Sequence, residues 1–146
     1  MPIKLANLRW HGSTSVFHLM CGEIYQINGR KIFTMGGVLS IDKEWRTPDK
    51  SWWTKEAINQ NDMENSWKNL AKYENSVDIV ITHTCPYHCV SEIVGFNSPK
   101  LLNESTLHLE TIYSKINFKK WYFGHFYDDM ILNEKFRCVY KEIVQI

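Results

Sequence analysis

The sequence predicts an α/β fold, and three observations carry that reading. The apolar runs Val77–Thr82 and Trp121–Phe123 stop abruptly at polar, turn-forming segments, as buried strands of open sheets do. Each run follows a stretch whose apolar residues recur at helical spacing. Near the start, Asn28-Gly29 sits between two further strand-like runs, which is the strongest short-range hairpin signal.

Taken in order, Glu23–Ile27 and Arg30–Met35 are read as the two arms of that hairpin. Gly36-Gly37 follows directly, and paired glycines permit backbone approaches that a side chain would block. Ser40 to Asn59 is a polar, tryptophan-rich loop. Met63, Trp67, Leu70 and Ala71 share one helical face, so Asp62–Tyr73 is expected to be a helix capped by Asn61 or Asp62 and leading into Val77–Thr82. Leu109, Ile112, Tyr113 and Ile116 place a second helix over Glu104–Ile116, ahead of Trp121–Phe123. Met130–Leu132 and Lys135–Tyr140, around Asn133-Glu134, read as a closing hairpin. Residues 1–16 remain unassigned, and 17–146 form one domain.

Composition bounds the function. Of 146 residues 44% are hydrophobic and 14% aromatic, enough for a core and too many for a disordered chain. Seventeen basic against sixteen acidic residues leave a net charge of +1. With no long lysine or arginine run, nucleic-acid binding has no electrostatic support. The sequence shows no signal-peptide core and no apolar span of membrane length, so a cytoplasmic, non-membrane protein is expected. In that compartment Cys21, Cys85, Cys89 and Cys138 are expected to be reduced thiols.

The candidate chemistry lies at the two strand ends. His83 follows one apolar run and His125 follows the other, so two strands can deliver two imidazoles to one crevice, where open α/β sheets place ligands. The alternative is that each histidine hydrogen-bonds locally to a carbonyl. A second metal reading takes His83, Cys85, His88 and Cys89 as a local zinc cluster, although adjacent His88 and Cys89 do not readily face one tetrahedral ion. Arg46, beside Trp45 and near Trp52-Trp53, is a candidate for clamping a phosphate, the tryptophans for stacking on a ring or pinning the loop to the core. Asp128-Asp129 reads as a solvated turn.

Three segments also carry a resemblance: Gly22–Glu56, Asp78–Pro86 (DIVITHTCP) and Trp121–Asp129 (WYFGHFYDD). Together they resemble the C-terminal part of calcineurin-like metallophosphoesterases, from about Phe17 onward. The resemblance implies a partial metallophosphoesterase-type sandwich, mixed β-sheets flanked by helices. It further implies a dinuclear site in which Mn²⁺, Fe or Zn²⁺ ions polarise a phosphoester and activate water. By this match His83 stands for the family's lone post-strand histidine and His125 for the first histidine of its G-H-x-H block, both ligands of one ion. Tyr127 replaces the second histidine of that block, and a phenol is a poor substitute on a divalent ion. The family's D-x-H, G-D-x-x-D and G-N-H blocks do not occur in the sequence.

The expectation is therefore a truncated or degenerate phosphoester hydrolase, inactive as an isolated chain. Two alternatives stay open. One is the C-terminal subunit of a split enzyme, completed by an N-terminal polypeptide; the other is a non-catalytic module that binds phosphate ligands.

Overall fold

The computed structural model describes residues 9–10, 17–37, 57–95 and 102–146. Arg9–Trp10 (β1) pairs antiparallel with Phe17–His18 (β2) as a small separate ribbon. The rest is a mixed α/β unit. Its sheet is built from Glu23–Ile27 (β3), Arg30–Met35 (β4), Ile79–Thr82 (β5), Lys120–Phe123 (β6), Met130–Ile131 (β7) and Phe136–Cys138 (β8). These make one six-stranded sheet in the order β3-β4-β5-β6-β8-β7. β4, β5, β6 and β8 are parallel neighbours, while β3 and β7 pair antiparallel at the two edges. Both expected hairpins therefore form, and each becomes an edge of the sheet.

The parallel centre dictates where the core lies. Phe33, Val80, Trp121 and Phe136 are cross-strand partners in one row, and all belong to the principal apolar cluster. Met63 and Leu70, then Cys89 and Val90, then Leu109 and Ile112 enter the same cluster from the three helices. Trp121 is at its centre, stacked on Phe136 at 5.4 Å and met edge-on by Phe118 at 5.3 Å. Burying each such side chain stabilises the fold by roughly 1.5–3 kcal/mol. On the opposite face Tyr25, Ile32 and Ile79 are partners in register and are also buried. Strands covered on both faces explain the near-continuous apolar runs in the sequence.

The helices correct the sequence reading in detail. The first, Gln60–Ala71 (α1), starts two residues before the expected Asp62. Its cap is Asn59, whose side chain accepts the Asp62 N–H at 3.0 Å while the Asp62 carboxylate accepts the Asn59 N–H at 3.1 Å. That reciprocal box satisfies two otherwise orphaned donors, so it outweighs the caps at Asn61 and Asp62. Tyr87–Val94 (α2) is a third helix that the sequence pattern does not predict. Its N-cap is Pro86, which offers no side-chain acceptor; instead Glu110 accepts the His88 N–H at 3.0 Å from Glu104–Tyr113 (α3). The α3 helix ends at Tyr113 rather than Ile116, because the chain turns into a bridge at Asn117.

Two sets of contacts brace the sheet, one against α1 and one between its own strands. Asn69 Nδ2 donates to the Gly22 carbonyl at 2.8 Å, holding α1 against the turn before β3. Gly22 has φ +73°, and a Cβ there would lie 2.7 Å from Ser66 Oγ and 2.9 Å from the Asp62 carbonyl oxygen. Only glycine fits that approach. At the far end of the strands the Asp78 carboxylate accepts the Lys31 N–H at 2.9 Å and the Lys119 ammonium at 2.7 Å, tying β4, β5 and β6 together where they begin.

Candidate functional site

The carboxyl ends of β4, β5, β6 and β8 open on one side of the sheet, since these strands are parallel. His83 is the residue after β5. Its N–H donates to the Met35 carbonyl at 3.3 Å and its carbonyl accepts the Gly124 N–H at 3.0 Å, so the ladder continues through the histidine itself. The turn beyond it is braced from below. Trp121 Nε1 donates to Thr82 Oγ1 at 2.8 Å, and that hydroxyl in turn donates to the Thr84 carbonyl. A buried indole N–H thereby finds its partner in the residue that precedes His83.

His125 arrives from β6 by a different route. After Gly124 the backbone enters the left-handed region at His125 (φ +75°) and again at Tyr127 (φ +56°). For side-chain-bearing residues each such conformation costs about 1–3 kcal/mol and persists only where surrounding contacts impose it. Phe126, between them, turns back into the core and meets Phe123 edge-on at 6.0 Å, which anchors the loop. The imidazole of His125 is consequently aimed along the sheet edge toward β5.

The two imidazoles meet there. His83 Nε2 and His125 Nδ1 are 3.2 Å apart, with ring centroids 5.2 Å apart and planes inclined by 62°. When both rings are neutral, one N–H can donate to the other ring's lone pair. The same spacing suits a shared ion. Two nitrogens each about 2.1 Å from one metal lie roughly 3.0 Å apart at a right angle and about 3.4 Å apart at the tetrahedral angle. Two imidazoles do not complete a coordination sphere, and among the described residues no group of three or more His, Cys, Asp or Glu side chains could hold a metal ion.

That finding corrects the zinc-cluster reading. His83 turns to His125, whereas His88 Nδ1 lies 2.8 Å from Glu110 Oε2 and its ring packs on Tyr113 at 4.5 Å. Cys85 and Cys89 are fully buried in the core, and burial, with the neighbouring Cys89 thiol, pushes the Cys85 thiol far up. All four cysteines are free thiols. Arg46 and the tryptophans Trp45, Trp52 and Trp53 lie outside the described residues.

Asp129 was read as a solvated turn, but the structure gives it a bonding role. Its carboxylate accepts the backbone N–H of Tyr140 at 2.7 Å, of Lys141 at 3.0 Å and of Glu142 at 3.2 Å. These donors, Tyr140 first, hold the Asp129 carboxyl below its usual range. The bonds pin the segment leaving β8 against the loop leaving β6, and Tyr140 comes to rest on Tyr127 at 5.6 Å between ring centroids. The sequence places Asp129 in a turn and Tyr140 in the closing strand, which ends instead at Cys138; their bond is not legible there, because an acceptor for three successive N–H groups exists only once two loops distant in sequence are adjacent.

No protein-family model matches the chain, and neither characterised proteins nor solved structures give a match. Among the described residues no helix is long and apolar enough to cross a membrane.

Proposed function

We infer that this chain is the C-terminal part of a metal-dependent phosphoester hydrolase of the calcineurin-like metallophosphoesterase type, with His83 and His125 as two ligands of one divalent ion, Mn²⁺, Fe or Zn²⁺. The observation that carries the reading is the 3.2 Å approach of His83 Nε2 to His125 Nδ1 at the ends of adjacent parallel strands. Three features add to it: the strained backbone at His125, the position of both histidines at the carboxyl ends of parallel strands, and the resemblance of the two histidine segments. A divalent ion held there would neutralise charge on a phosphoryl group and polarise it.

This chain's own contribution is to orient. The Met35 and Gly124 main-chain bonds fix His83, the packing of Phe126 on Phe123 anchors the loop that carries His125, and Tyr127 stands where a ligand to a second ion is expected. The remaining ligands belong to the N-terminal blocks, so the chain is inactive alone and its partner is a polypeptide that supplies them. Its substrate is a phosphoester, and its free thiols suit a cytoplasmic setting.

The test is a Zn²⁺ titration of the full chain followed through the imidazole resonances of His83 and His125. Zinc should shift both rings together, and either His83→Ala or His125→Ala should remove the response. Zinc binding that leaves both rings unmoved, or that survives both substitutions, would overturn the reading.

A further inference from the structure

We propose that Tyr127 and Tyr140 form a subsite for a flat aromatic ring carried by the phosphoester, a nucleobase or an aryl group, beside the histidine pair. The proposal rests on the phosphoester reading above.

Both tyrosines occupy the site's end of the sheet. Tyr127 is two residues beyond His125 on the loop after β6, and Tyr140 is two residues beyond Cys138 at the end of β8, parallel to β6. The main chain joins these loops just before they diverge, through the Val139 N–H and the Phe123 carbonyl at 2.8 Å. The two-residue step from His125 to Tyr127 spans at most about 7 Å of chain, which is on the scale of one nucleotide or aryl ester.

The rings are displayed at a cost that core packing does not explain. Tyr127 is 73% exposed and Tyr140 51% exposed, and Tyr127 is held in a left-handed conformation that bulky residues rarely adopt. Core aromatics are fixed by burial; this pair is fixed by backbone, through the Asp129 carboxylate that collects the N–H groups of Tyr140, Lys141 and Glu142. The rings meet at 84°, an edge-to-face contact that leaves ring surface open to stacking. Lys141 Nζ lies over one face of the Tyr140 ring, 5.5 Å from its centroid, so stacking falls to the other ring surfaces while a cation stands close to a phosphate-bearing ligand. Stacking of this kind tolerates any flat ring, because every such ring has a π-face.

The full chain should be titrated with AMP, p-nitrophenyl phosphate and ribose phosphate, with and without Zn²⁺, following the ring resonances of Tyr127 and Tyr140. AMP or the aryl phosphate should shift both tyrosines, whereas ribose phosphate should not; a response to AMP alone assigns a nucleobase, and a response to both assigns aromatic rings generally. Tyr127→Ala and Tyr140→Ala should each weaken AMP binding about tenfold. Tyr127→Phe should retain it, since the ring remains. Tyrosine shifts that are absent, or equal for AMP and ribose phosphate, would overturn the proposal. Zinc that fails to move the imidazoles while AMP still moves the tyrosines would instead remove the metal reading and leave the ring subsite standing.

Discussion

The carbonyl of His83 accepts the N–H of Gly124 at 3.0 Å, one residue before His125. The two histidine-bearing loops are thus joined by main chain at the point where they leave the sheet. Their imidazole spacing rests on strand register, with β5 and β6 paired so that Ile81 faces Tyr122, and on the left-handed turn at His125.

On the proposed reading that geometry would supply two ligands of one ion, and among the described residues no group of three or more His, Cys, Asp or Glu side chains extends it. Hydrolysis of p-nitrophenyl phosphate or its diester by the isolated chain, with Mn²⁺ added, is expected to equal that of a His83→Ala, His125→Ala control. Tyr127→His alone should not raise it, since the other ligand blocks remain missing. Mn²⁺-stimulated turnover that disappears in the control would show that the chain is a complete enzyme.

Gly22→Ala is expected to destabilise the fold by roughly 1–3 kcal/mol, because the added Cβ collides with the Asp62 carbonyl and Ser66 and the backbone is left-handed. Urea unfolding measures it. A variant as stable as the parent would mean that α1 does not rest on this turn.

Trp121→Phe keeps an aromatic ring in the core but deletes the indole N–H that Thr82 accepts. The cavity and the lost hydrogen bond together should cost about 1–3 kcal/mol. The His83 resonance should shift as well, as Thr82 precedes it. Unchanged stability with an unchanged His83 environment would show that the bond braces nothing.

Asp78 gives stability a defined acid dependence. The Lys119 ammonium, together with the Lys31 N–H, holds its carboxyl below the usual carboxylate range. A group with a depressed folded pKa stabilises the protein above its unfolded pKa, near 4, and that contribution is lost as pH falls through the lower folded value. Asp78→Asn should therefore flatten the fall in stability below about pH 4 that the parent shows. Parallel acid-denaturation curves for the two proteins would rule this out.

Cys85 should resist alkylation in the native chain, since its thiol is buried and burial raises its pKa. Iodoacetamide labelling followed by mass spectrometry should modify Cys21, which is partly exposed, before Cys85. Early labelling of Cys85 would indicate that the turn after His83 opens readily.

What the sequence by itself determined is local. Asn28-Gly29 sets a hairpin because its turn demands positive φ, and both residues have it, at +50° and +76°. The apolar runs ending at His83 and His125 mark strands because apolar continuity and length are written in consecutive residues, and helical spacing marks α1 and α3 in the same way. Tertiary structure decided whatever depends on partners far along the chain. The α2 helix is not legible in its own residues because its N-terminal acceptor is Glu110, twenty-two positions beyond His88. The zinc cluster dissolved because His83 and His88, five residues apart, are turned toward His125 and Glu110, on different elements. Asp129 became an anchor only once β8 lay beside β6. Strand order sets those neighbours, and it follows from the packing of whole elements into one core, which no short window of sequence contains.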